Sequence, residues 1–130
     1  MQKVVLDSDI IIDHLRDYGN VLQTLLVFAS QKKLQLYIPT VVVTELFSGK
    51  ETKKQERLSS LKKLLEKFEW ISSDKEISEV AGFLMRDYSP IKLGDAIVAA
   101  TALSLNAKLA TRNKKDFQDI KGLRIFKLSN

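Results

Sequence analysis

Lys3-Val4-Val5-Leu6-Asp7-Ser8-Asp9-Ile10-Ile11-Ile12-Asp13 passes from an apolar, strand-like run into helical spacing, with an acid at the junction. Residues 4–6 read as a buried strand and residues 10–16 as the helix that follows. The same alternation continues outward. A second helix is expected over residues 21–30 after the Gly19-Asn20 break, and a second strand over residues 34–38. Val41-Val42-Val43 alone favours a strand, whereas Thr40 as a cap and Gly49 as a stop favour a short helix to Ser48; we read the helix. Residues 51–68 suggest a clearer helix, with Leu58, Leu61, Leu64, Leu65 and Phe68 on one stripe and lysines elsewhere. Trp70-Ile71 reads as a short strand, Asp74 as the N-cap of a helix to Arg86, and Tyr88-Ser89-Pro90 as a loop. Asp95 opens a helix ending near Asn106, and strands over residues 108–111 and 123–127 complete the chain. The expected class is α/β: a mostly parallel central sheet of about five strands flanked by helices in three layers, one domain over residues 1–130.

A chain of 130 residues is one domain by length, and at this size about two thirds of the unfolded surface is buried on folding. No Cys is present, which removes disulfides, thiolate metal sites and thiol catalysis. Met1-Gln2-Lys3 begins no signal-peptide pattern, and no apolar run approaches the roughly 20 residues of a membrane span. A cytoplasmic protein without a membrane segment is the expectation. Lys and Arg number 21 against 16 Asp and Glu, a formal charge of +5 that favours a polyanionic partner without requiring one. There is no internal repeat, low-complexity tract or interdomain linker.

Four acids fall where strands run out. Asp7 ends the first strand, Glu45 follows the second, Asp116 lies just past residues 108–111, and Asp95 sits in the first turn of the helix that feeds that strand. Parallel sheets bind ligands beyond the carboxyl ends of their strands, so all four acids reach one edge. Singly, each has an ordinary explanation as a strand end, a helix cap or a solvated charge. Jointly they repel one another, and a divalent cation is what compensates such a cluster. The helix dipole favours ionised Asp95 by up to about 1 kcal/mol, which keeps it a ligand.

Four stretches carry a likeness to known proteins: Leu6-Asp7-Ser8-Asp9-Ile10-Ile11-Ile12-Asp13, Thr44-Glu45-Leu46, Asp95-Ala96-Ile97-Val98-Ala99-Ala100-Thr101-Ala102 and Thr111-Arg112-Asn113-Lys114-Lys115-Asp116-Phe117. In order, spacing and strand-end placement they resemble the four acidic motifs of the PIN-domain ribonucleases, most closely the VapC-type toxins of prokaryotic toxin–antitoxin pairs. The resemblance covers essentially the whole chain and implies a PIN-like three-layer fold and endoribonuclease activity on RNA. It further implies a homodimer and a small cognate antitoxin that covers the acidic pocket. The site chemistry agrees. Mg²⁺ or Mn²⁺ held by Asp7, Asp95, Asp116 and Glu45 lowers the pKa of bound water, orients it, and stabilises the oxygen leaving a phosphodiester. Two other functions suit the same residues: a housekeeping PIN nuclease in RNA processing, and a catalytically silent PIN-like RNA-binding or scaffold module.

The flanking polar residues have two readings each. Asp9 either reaches metal through water or bonds the turn. Thr111 and Asn113 bond the scissile phosphate or orient Asp116, as the resemblance implies, or they cap the turn after their strand. Arg112, Lys114 and Lys115 belong to a run of seven cations between residues 108 and 127, set against Asp116 and Asp119. They are expected to neutralise substrate phosphates, an ordinary solvated face being the alternative. His14, the only histidine, reads as a surface or helix-packing residue. The apolar stripe of residues 51–68 is a candidate partner surface.

Overall fold

Strand β1 (Gln2–Leu6) runs between β2 (Leu34–Pro39) and β4 (Lys108–Ala110), with β3 (Glu69–Ile71) outside β2, in a computed structural model that describes residues 1–128. All three pairings are parallel. The order β3-β2-β1-β4 means that the chain builds outward from β1 through β2 and β3, then crosses back to the other side of β1. That reversal is a topological switch point, and the crevice it leaves at the carboxyl ends lies between β1 and β4.

The strand expected over residues 123–127 is reduced to one bridge, between Leu109 and Ile125. Leu109 donates its N–H to the Arg124 carbonyl at 2.9 Å and accepts from the Phe126 N–H at 2.8 Å. In a three-residue strand whose outer residues face β1, only the middle one has its backbone groups turned outward. The sheet therefore has four strands rather than five.

Helix α1 (Ser8–Leu15) follows β1 after a single residue, and α2 (Val21–Ser30) leads to β2. Helix α3 (Thr40–Phe47) leaves β2 with Pro39, not Thr40, at its N-cap; the proline ring already holds the φ that this position needs. Residues 51–68 do not form one helix. Lys50–Lys53 makes a 3-10 turn, Lys54 is extended, and α4 spans Gln55–Leu65. Thr52 accounts for the break, because its hydroxyl donates to the carbonyls of Gly49 and Phe47 at 2.7 and 3.1 Å and so draws the backbone out of an α ladder. Leu61, Leu64, Leu65 and Phe68 are buried in the chain's own core, so the stripe is an internal packing face and not a partner surface.

Helix α5 (Lys75–Asp87) starts at Asp74, whose carboxylate accepts the Ile77 N–H at 2.8 Å, and it packs on α6 (Leu93–Leu105). Ala96, Val98, Ala99, Ala100, Thr101 and Ala102 are all buried, which makes α6 apolar nearly all round. Its small side chains let β1, α3 and α5 approach it together. Asn106 ends the helix in the left-handed region at φ 54°. A one-turn helix, α7 (Lys114–Phe117), then follows β4 with Phe117 as its buried anchor. Four residues are too few for helical periodicity to show in a sequence. No helix among the described residues is long and apolar enough to cross a membrane.

Candidate active site

Register places the first acid. Leu6 pairs with Ala110, so Asp7 and Thr111 are the next residues on adjacent strands, and the Asp7 N–H still donates to the Ala110 carbonyl at 3.0 Å. There the strands part, and Asp7 becomes the N-cap of α1. Its Oδ1 accepts the Ser8 N–H and its Oδ2 the Thr111 hydroxyl, both at 2.8 Å. Asp7 is only 4% exposed. Burial is the main reason its carboxyl holds a proton above the usual range; the charges of Asp95 and Asp116 add to this, and the two hydrogen bonds oppose it.

The other acids come from three different helices. Glu45 sits on α3 with its carboxylate over the start of α6: a methyl on Gly94 would stand 3.9 and 4.0 Å from its two oxygens. The residue as a whole is exposed, yet shielding of the carboxyl, followed by the charges of Asp7 and Asp95, pushes its pKa up. Asp95 is half-buried in the first turn of α6. Burial raises its pKa, Asp116 and Asp9 raise it further, and Lys92 at the helix N-cap opposes them. Asp116, exposed on α7, acts on both Asp7 and Asp95. Charge repulsion links the four acids: Asp7 feels Asp95 and Asp116, and Glu45 feels Asp7 and Asp95. Asp9 joins them. Burial and then Asp7 raise its pKa, its Oδ2 accepts the Arg112 N–H at 3.0 Å, and its Oδ1 is buried without a hydrogen-bond partner.

Among the described residues, no three Asp, Glu or His side chains are drawn together into a finished metal cage. The carboxylates instead face one another at a range where their charges repel. Their chemistry fits a hard divalent cation such as Mg²⁺ or Mn²⁺: every donor is an oxygen, and one buried oxygen of Asp9 is orphaned beside Asp7.

Two clefts flank the acids. One, of about 260 Å³, is bordered by Ile12, His14, Leu46 and Arg57 and reaches Glu45. The other, of about 470 Å³, is lined by Tyr88, Pro90, Lys92, Asp95, Lys115 and Asp116. Lys115 shares that cleft with Asp95 and Asp116, and so does Lys92, a cation outside the set expected from the sequence. Its signal was present: a cation three residues before Asp95 at a helix start shares that face. Lys114 is exposed on α7. Arg112 has its guanidinium committed to Asp13. Thr111 is fully buried and donates to Asp7, not to Asp116. Asn113 enters through its backbone, donating its N–H to Thr111 Oγ1 at 3.1 Å.

The sequence pattern that defines the PIN domain matches residues 4–123. The chain belongs to the PIN domain family. It is 33% identical over 114 residues to Ribonuclease VapC10 of Mycobacterium tuberculosis (strain ATCC 25618 / H37Rv), a match that spans 85% of this chain and 82% of that protein. Among solved PIN-domain relatives, the structure of VapBC2 from Rickettsia felis, bound to a DNA fragment from their promoter, superposes with a TM-score of 0.83. That match has 25% identity and covers 96% of this chain and 98% of the other. A toxin–antitoxin complex from Klebsiella pneumoniae superposes with a TM-score of 0.75 at 29% identity, over 92% of this chain and 94% of the other. The PIN-like layering expected from the sequence is present.

Proposed function

We propose that this PIN domain is a divalent-metal-dependent endoribonuclease, the toxin member of a toxin–antitoxin pair, with Asp7, Glu45, Asp95 and Asp116 as its catalytic and metal-holding acids. The mutual repulsion among those four acids, beyond the carboxyl ends of a parallel sheet, carries the reading. Likeness to a protein named Ribonuclease VapC10 supports RNA as the substrate, and likeness to toxin–antitoxin complexes supports a small protein antitoxin as partner. A cytoplasmic setting and pairing with a second copy of the chain belong to the same proposal.

Mg²⁺ or Mn²⁺ at this site supplies a water of lowered pKa and a counter-charge for the departing oxygen. Every other task falls to side chains. Asp7 is fixed in one orientation by the Ser8 N–H and the Thr111 hydroxyl before any ligand arrives, so no ordering cost attaches to its use. At Asp95 the helix N-terminus and Lys92 work against burial and the neighbouring negative charges, in the direction of the ionised, ligating form, although the carboxyl still holds its proton above the usual range. Lys92 and Lys115 line the same cleft as Asp95 and Asp116 and hold the RNA phosphates next to the cut.

Purified chain is expected to cleave RNA with Mg²⁺ or Mn²⁺ and to stop in EDTA. Asp95→Asn is expected to remove cleavage while far-UV circular dichroism stays unchanged. Undiminished cleavage in EDTA, or by Asp95→Asn, would sink the proposal.

A further inference from the structure

Asp9 and Asp13 lie one turn apart on α1 and so share a face. That face meets the loop after β4. Asp9 Oδ2 accepts the Arg112 N–H at 3.0 Å and lies 3.3 Å from the Thr111 hydroxyl, while Asp13 Oδ2 binds Nε of Arg112. Thr111 is the pivot of this arrangement. Its single proton goes to the nearer acceptor, Asp7 at 2.8 Å, and its oxygen accepts the Asn113 N–H. The Asp13 side chain is 17% exposed and that of Arg112 58%, so the pair is half sheltered between helix and loop.

We propose that Asp9 and Asp13 form a two-pronged clamp on the loop of the fourth motif, with Arg112 as its tie, and that the clamp positions Thr111 against Asp7 for catalysis. This rests on the nuclease reading of the site. Asp13 and Arg112 act through Thr111 and are positioning residues; the guanidinium that sequence reading assigns to substrate phosphate is used inside the protein. A half-exposed ion pair adds little to stability, typically under about 1 kcal/mol. Its effect belongs in turnover, because the partners that orient a site's primary groups each matter by about tenfold or more.

Steady-state kinetics on RNA test this with Asp13→Ala, Arg112→Ala, the double variant and Arg112→Lys. Each alanine variant is expected to lower kcat about tenfold with KM and the salt dependence of binding unchanged. The double variant is expected to be no worse than either single one, and Arg112→Lys to recover turnover lost by Arg112→Ala. A raised KM and flattened salt dependence for Arg112→Ala, with kcat of Asp13→Ala at the wild-type level, would make Arg112 a substrate contact and overturn the clamp. A second readout needs no activity. Asp9→Ala and Asp13→Ala are expected to speed amide hydrogen exchange at Arg112 and Asn113, whereas Asp9→Asn, which keeps an acceptor for the Arg112 N–H, is expected to leave it unchanged. Unchanged exchange in both alanine variants overturns the clamp; a wild-type chain that cuts no RNA overturns only the nuclease reading.

Discussion

Asp7, Asp9, Glu45 and Asp95 each hold their proton above the ordinary range, with burial the largest cause in every case. A raised folded-state pKa means that the folded chain binds protons more tightly than the unfolded one. The resulting stabilisation is complete below the ordinary values, 3.8 for Asp and 4.5 for Glu, and is lost as pH climbs through the raised ones. In EDTA, these four groups are therefore expected to lower the wild-type melting temperature as pH rises above about 4. Asp95→Asn is expected to flatten this fall and to raise the melting temperature at neutral pH, because it relieves the repulsion from Asp116 and Asp9. Mg²⁺ should raise the melting temperature of the wild type more than that of the variant. Comparing the two chains cancels groups of opposite sign such as Asp87, whose pKa its bond to Arg86 lowers. Parallel melting curves across that pH range would count against the repulsion argument. Thr111→Val probes the same site from the donor side. Losing the hydroxyl leaves Asp7 Oδ2 buried with no donor, an expected cost of about 1–3 kcal/mol by chemical denaturation, accompanied by weaker Mn²⁺ binding in calorimetry.

Helix α7 separates residues that the sequence places side by side. Lys114 and Lys115 are exposed there, whereas Arg112, just before the helix, is tied to Asp13. Replacing Lys114 and Lys115 with Ala is expected to weaken RNA binding and to reduce the slope of log affinity against log salt by about 1.4, two single-strand phosphate contacts. Arg112→Ala should leave that slope alone, and filter binding over a range of salt concentrations distinguishes them. Elements were legible in the sequence in proportion to how much of their pattern is local. β1, β2, α2 and α5 show their patterns within their own residues, and α5 has its cap at Asp74 as well. The helix expected over residues 51–68 broke because the Thr52 hydroxyl competes for backbone carbonyls, an effect that hydrophobic spacing does not carry. The strand expected over residues 123–127 lacked a partner long enough to pair with, a property of β4 and not of its own residues. At the site, strand ends and one helix start were enough to single out Asp7, Glu45, Asp95 and Asp116, whose charges act on one another across the fold. The roles of Asp9, Asp13 and Arg112 were not legible in this way, because they depend on which side chains α1 turns toward the loop after β4.

Strand order unites residues from opposite ends of the chain. With β4 beside β1, Asp7 comes within reach of the charge of Asp116 from the far end of the chain. On the toxin reading, control by a separate small protein is expected. Expressed alone in a bacterial host, the wild-type chain is accordingly expected to halt growth while cellular RNA is cleaved. Asp95→Asn at an equal soluble level is expected to be harmless, since it loses the chemistry and keeps the fold. A small protein encoded beside it should bind the wild-type chain, protect Asp7, Glu45, Asp95 and Asp116 from solvent exchange, and restore growth. Asp95→Asn should still capture that protein, since the substitution removes one charge and keeps the fold. Growth curves, RNA gels and co-purification of the two chains read these outcomes directly. Equal growth of wild-type and Asp95→Asn cells, with no adjacent small protein bound to either, would remove the toxin assignment and leave a PIN nuclease of RNA processing as the function to pursue.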